Sequence, residues 1–165
     1  MNNITLIGMP GAGKSTIGVV LAKVLGYQFL DSDLLIQKQE KRRLSEIIEE
    51  EGYKGFKDVE NRVNASIEAE NTVIATGGSV VYCEEAMEHL KSIGTVVYLK
   101  LSLNALSKRL GNLKGSVLLR EGQNLTDLYE ERTPLYEKYA DIVIDEEGKD
   151  LEASLEILLK TLKEN

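Results

Sequence analysis

The sequence predicts an α/β fold, a five-stranded parallel sheet with helices on both faces. Three observations carry that reading. Short, nearly continuous apolar β-rich runs recur at 4–7, 27–30, 72–75, 95–99 and 141–144, as strands buried on both faces require. Stretches of helical period separate them, which implies right-handed crossovers between parallel neighbours. At the first strand-to-helix junction, Gly8-Met9-Pro10-Gly11-Ala12-Gly13-Lys14-Ser15 fits G-x-x-x-x-G-K-[ST] at every fixed position.

That junction is a phosphate-binding loop. Its glycines let successive backbone N–H groups converge on phosphate oxygens, Lys14 can reach the β- and γ-phosphates, and the Ser15 hydroxyl can ligate Mg²⁺. The helix that opens there adds its positive dipole end to the same anion. Gly11, Ala12, Gly13, Lys14, Ser15 and Thr16 are therefore the expected contacts to a nucleoside triphosphate.

The helical stretches run over 14–25, 33–51, 55–70, 84–93, 103–110, 124–139 and 151–162, the first closed by Gly26 as a C-cap. At 165 residues, 42% hydrophobic and 28% charged, the chain has the size of one globular domain. No repeat, low-complexity tract or linker divides it. The first residues lead straight into strand sequence, and no apolar run approaches the roughly 18 residues that span a bilayer, so a cytoplasmic protein is expected.

A net charge of −7 argues against nucleic acid or an anionic membrane as partner. One cysteine, Cys83, excludes an internal disulfide, and it reads as a helix-start residue rather than a reactive thiol. The lone His89 reads as surface or packing. Between Lys100 and Arg120 five basic residues stand with no acid among them. Lys100 and Lys108 read as solvated, whereas the Gly- and Asn-containing segment after Arg109 suits a mobile, phosphate-facing loop.

In a parallel sheet of this kind ligands gather at the carboxyl ends of the strands. Those ends carry the phosphate loop after the first strand, Asp31-Ser32-Asp33 after the second and Thr76-Gly77-Gly78-Ser79 after the third. The third strand does not end in the aspartate that often organises Mg²⁺ beside such loops, so Asp31 is the natural candidate. Carboxylates two apart can divide two tasks, one toward metal-bound water and one toward a substrate hydroxyl. The alternative is that Asp33 or Ser32 caps the next helix.

These residues resemble the shikimate kinase family, within the P-loop nucleoside monophosphate kinase-like group. The likeness runs nearly end to end: GMPGAGKST, FLDSD, Gly52 with Phe56-Lys57-Asp58-Val59-Glu60, the GGS turn, VVYL, and Arg132-Thr133-Pro134-Leu135-Tyr136 followed by Ala140-Asp141. It implies a P-loop NTPase fold with a substrate-binding helical region at about 33–60 and a lid at about 111–121. It further implies ATP and Mg²⁺ on Lys14 and Ser15, Asp31 in the metal shell, and Asp33 at the acceptor hydroxyls. Gly78 would offer a backbone contact, Arg132 would hold the acceptor carboxylate, and Arg109 would lie against adenine. Arginine suits both tasks, as a planar fork for a carboxylate and a delocalised cation for a ring. The bland alternative for Arg132 is a surface residue paired with Glu131 or Asp127.

Three departures bear on the acceptor. Lys57 stands where the family has an arginine that binds the shikimate carboxylate, and the change loses bidentate geometry. Gly77-Gly78-Ser79 replaces three glycines, adding a side chain at the acceptor pocket. Ser116-Val117-Leu118-Leu119 replaces Arg-Pro-Leu-Leu in the lid, leaving Arg120 or Lys114 to reach the phosphates. The expected activity is γ-phosphate transfer from ATP to a small hydroxy-acid, shikimate first, by a monomer. Gluconate, homoserine or a nucleoside monophosphate as acceptor, or a nucleotide-binding module without turnover, are the alternatives. A GTP-hydrolysing switch is disfavoured because no Asn-Lys-x-Asp motif is present.

Overall fold

A computed structural model describes residues 2–110 and 124–164. Its five strands are β1 (Asn3–Ile7), β2 (Gln28–Asp31), β3 (Thr72–Ala75), β4 (Gly94–Lys100) and β5 (Ile142–Asp145). All pair in parallel, in the order β2-β3-β1-β4-β5. β1 is central, so the loop that follows it emerges at the middle of the sheet's carboxyl edge. β2 and β4 flank the β3-β1 pair, and their ends open onto the same edge.

The strands alternate between two cores. Ile7, Ile74, Val96 and Tyr98 face one layer, built with α4 (Glu84–Ile93) and α6 (Leu125–Tyr139). Leu6, Val73, Val97 and Leu99 face the other, with α1 (Lys14–Leu25) and α7 (Leu151–Glu164). Both faces are thus apolar at β1, β3 and β4, as the sequence predicts. The edge strands depart from that expectation: β2 is only half-buried and β5 alternates, with Val143 48% exposed, because each has a neighbour on one side alone. α2 (Ser32–Glu40) and α3 (Leu44–Ala65) bury a smaller cluster, Ile36, Ile47, Phe56, Val59 and Val63, beside the β2 edge. α5 (Leu103–Leu110) follows β4.

The predicted helix 33–51 is broken. Lys41 adopts a left-handed conformation, φ 56, between α2 and α3. Lys41-Arg42-Arg43 carries no glycine or proline to announce this; the corner is held by side chains. Arg42 pairs with Glu40 of α2 at 3.0 Å and with Glu50 of α3 at 2.7 Å, and the Gln37 Oε1 accepts from Leu44 N at 3.1 Å. α3 then kinks at Gly52, φ 75 and ψ 175, where the sequence does place a break.

The helix predicted over 55–70 ends at Ala65. Asn3 of β1 takes over the following backbone: its Nδ2 donates to Ala69 O at 2.7 Å and its Oδ1 accepts from Thr72 N at 3.0 Å. Five residues that continue a helical pattern are thereby drawn toward β3. No described helix is long and apolar enough to cross a membrane.

Candidate functional site

One cavity of about 990 Å³ lies along the carboxyl edge of the sheet. Its walls include Gly11, Gly13, Lys14, Ser15 and Thr16 from the loop after β1, and Asp31 and Asp33 from the end of β2. Gly77, Gly78 and Ser79 join from the end of β3, with Arg109 of α5 and Arg132 of α6. Ala12 is buried against the α1 layer.

The loop is prepared for an anion. Gly13, the N-cap of α1, sits at φ 88, a left-handed conformation that glycine adopts without a Cβ clash. No side chain caps α1 and no acid lies in its first turn, so its first N–H groups remain available for phosphate oxygens. The Lys14 ammonium folds back on the loop, donating to Gly8 O at 2.5 Å and Met9 O at 3.1 Å. Burial lowers its pKa to about 8, with Asp33 opposing that shift. Arg109 Nη1 donates to Gly11 O at 3.0 Å, so its exposed guanidinium sits on the loop's outer rim.

Asp31 performs two tasks at once. Its Oδ1 accepts from Asp33 N at 2.9 Å and Leu34 N at 3.2 Å, and so caps α2. Neither Asp33 nor Ser32 is the cap. Its Oδ2 lies 3.4 Å from Ser15 Oγ, a hydroxyl and a carboxylate side by side at the loop's end. Hard oxygens in that number suit Mg²⁺, which keeps several waters and shares its shell with substrate phosphates. Relieved of capping, the Asp33 carboxylate lies beside Gly77. Burial, with a further push from Asp31, raises its pKa to about 6.

Arg132 is buried at 6% exposure, which excludes the surface reading. Its cation lies 5.4 Å above the Tyr82 ring and its Nε 3.4 Å from the Tyr82 hydroxyl, which itself donates to Glu131 Oε1 at 2.6 Å. Among the described residues no carboxylate forms an ion pair with it. A buried guanidinium without an anionic partner, at a cavity wall, is a ready carboxylate site.

Gly78 touches both neighbours. A Cβ there would fall 2.8 Å from Arg132 Nη1 and 2.8 Å from Pro10 Cδ of the phosphate loop. Its N–H has no hydrogen-bond acceptor among the described residues.

Lys57 is not on this cavity. It is exposed on α3 and lines a separate depression of about 380 Å³ with Asp58, Tyr82, Cys83 and Glu84. Ser79 does line the cavity, yet its hydroxyl is engaged by Glu60, 2.8 and 2.9 Å from the two carboxylate oxygens. Arg120, Lys114 and Ser116, with the lid at 111–121, lie outside the described residues. Cys83 is buried and starts α4, and burial raises its thiol to about 12, which keeps it protonated. His89 Nε2 lies 2.7 Å from Ile67 O, a packing role.

Two acids escaped the sequence reading. Glu60 is 1% exposed, and burial raises its pKa to about 7. Glu146, just past β5, is 2% exposed with Oε2 unpaired, and burial raises it likewise to about 7. The rule that strand ends carry chemistry would have found Glu146 had it been applied to the fifth strand as to the first three. Nothing in the local pattern distinguishes Glu60 from the solvated acids of the same helix.

Residues 10–163 match the family model for shikimate kinase. The chain belongs to the shikimate kinase family. Curated shikimate kinases share sequence over most of it: that of Thermodesulfovibrio yellowstonii is 38% identical over 97% of this chain and 94% of its own length. The Persephonella marina enzyme is 36% identical over 90% of this chain and 92% of its own length. Among solved structures, shikimate kinase from Acinetobacter baumannii in complex with shikimate superposes with a TM-score of 0.86 at 34% identity. That match covers 100% of this chain and 95% of the other. Family membership at this coverage accounts for the parallel sheet and its P-loop, and it makes the chain a kinase-family member.

Proposed function

We propose that this chain is an ATP-dependent kinase that transfers the γ-phosphate to a hydroxyl of shikimate, giving shikimate 3-phosphate. The observation that carries the reading is the single cavity with the triphosphate loop, Lys14 and Ser15, on one wall and Asp33, Gly78 and Arg132 on the other. Donor and acceptor would meet between them.

Lys14, the α1 N-terminus and the loop N–H groups would bind the triphosphate, with Arg109 against adenine. Ser15 and Asp31 would hold Mg²⁺, which supplies positive charge against the phosphate oxygens when bound. Arg132 would hold the acceptor carboxylate through its fork, and the Gly78 N–H would meet an acceptor hydroxyl. Asp33 would orient the attacking hydroxyl and take its proton as the new O–P bond forms and the bond to the departing ADP oxygen breaks. Phosphoryl transfer asks little covalent chemistry of the protein, so alignment and charge supply the rate.

Residues 33–60 form the acceptor-binding region of this reading and 111–121 its lid, with Arg120 contributing a further cation. Lys57, exposed on α3 outside the cavity, would contribute only general positive charge toward an acidic acceptor rather than a clamp. A monomeric, cytoplasmic enzyme completes this reading, and no helix among the described residues is long and apolar enough to cross a membrane.

Coupled ADP release over a panel of shikimate, gluconate, homoserine and a nucleoside monophosphate tests the assignment. Shikimate ranks first on this reading. Equal or higher kcat/KM for another acceptor overturns it, as does full transfer activity in Lys14→Met or Asp33→Asn.

A further inference from the structure

Ser79 is this chain's departure from the glycine triplet, and its hydroxyl makes the turn's one side-chain hydrogen bond to α3 among the described residues. The turn Gly77-Gly78-Ser79 touches a different element at each position. A Cβ on Gly77 would fall 2.6 Å from Asp33 Oδ1; Gly78 abuts Arg132 and Pro10; Ser79 reaches Glu60. Glu60 is sealed from solvent, and among the described residues the donors to its two oxygens are the Ser79 hydroxyl and, at 3.9 Å, the Cys83 thiol. A buried carboxyl with so few donors is costly, and the Ser79 bond is the short one that satisfies it. Arg132 and Asp33 are the charged groups that act on it across the turn.

We propose that the Ser79 hydroxyl is a positioning group: by latching the turn to Glu60 it fixes where the unpartnered Gly78 N–H meets the acceptor. Gly78 has no side chain of its own; its carbonyl is held from behind by the Tyr136 hydroxyl at 2.7 Å, and the residue after it supplies a second anchor, on the α3 side. Arg132 faces the same turn, so a shift of Gly78 alters the spacing between two acceptor contacts at once. This inference rests on the shikimate kinase reading above. It says nothing of the donor side, since Glu60 and Ser79 do not touch Lys14, Ser15 or Asp31.

The test is steady-state kinetics of the full chain with shikimate and ATP for Ser79→Ala, Ser79→Thr and Glu60→Gln, with thermal unfolding of each. Ser79→Ala raises the shikimate KM about fivefold or more, the scale of one lost buried hydrogen bond, while the ATP KM and kcat stay within about twofold. Ser79→Thr keeps the hydroxyl and restores the KM to within about twofold of the parent. Adding Glu60→Gln to Ser79→Ala raises the KM by less than the product of the separate effects, because both act through one bond. A parent enzyme that does not phosphorylate shikimate overturns the function itself. An active parent whose shikimate KM is unchanged in Ser79→Ala, whether or not the melting temperature falls, overturns the positioning role alone.

Discussion

The Tyr136 hydroxyl donates to the Gly78 carbonyl at 2.7 Å, across 58 residues of sequence. Tyr136 is wholly buried in α6 and stacks on Tyr98 of β4, ring centroids 5.1 Å apart. The turn after β3 is thus tied to the core from behind, one helical turn along from Arg132, so the helix that presents the guanidinium also fixes the turn's distance from it.

Tyr136→Phe keeps the stacking and removes the donor. The half-buried Gly78 carbonyl left without this partner costs about 1 kcal/mol, which lowers the melting temperature by about 2–4 °C in a chain of this size. The shikimate KM rises severalfold with the ATP KM unchanged. Calorimetry and initial-rate kinetics check the two halves; an ATP KM that moves with the shikimate KM would sink this account.

Gly78→Ala meets a rigid obstacle. The added Cβ falls 2.8 Å from Pro10 Cδ, a ring carbon that cannot rotate away, and equally close to Arg132 Nη1. Acceptor binding weakens at least about tenfold, a displacement of the turn that costs about 1.4 kcal/mol or more. Nucleotide affinity, read by fluorescent-nucleotide titration, falls less than acceptor affinity because only Pro10 of the phosphate loop is pushed.

Lys57 and Arg132 separate by position. Arg132→Lys replaces a buried fork with a point charge and raises the shikimate KM by about tenfold or more, whereas Lys57→Ala, on the exposed face of α3, changes it by less than about threefold. The reverse ranking would mean that Lys57 swings into the cavity when the acceptor binds.

The pH dependence of kcat/KM reports groups of the free enzyme. Asp33, raised to about 6 by burial, acts ionised, so activity falls as pH drops below about 6. Lys14, lowered to about 8 by burial, acts charged, so activity falls as pH rises above about 8. The expected profile is a bell between these limits. In kcat the alkaline limb moves to higher pH, because a bound triphosphate favours the charged ammonium. An alkaline limb in the same place for both parameters would remove Lys14 from that role.

The sequence by itself determined the sheet and the donor loop. Five short apolar runs, separated by helical period, admit few arrangements, and G-x-x-x-x-G-K-[ST] fixes where a triphosphate meets them. Both signals are local: the periodicity lies within one element, and the loop's contacts come from consecutive backbone groups. Tertiary structure decided the rest, since each remaining question turns on which element a side chain meets. Arg132 and Lys57 are both cations on helices, yet the packing of α6 against the Gly78 turn buries one while α3 turns the other outward. Asp31 rather than its neighbours caps α2, and Ser79 spends its hydroxyl on Glu60. The break at Lys41 comes from Arg42 reaching acids on two helices. Apart from the Asp31 cap, the bonds of Arg42 to Glu50, Ser79 to Glu60 and Tyr136 to Gly78 cross 8 to 58 residues of chain, and no single element's pattern encodes them.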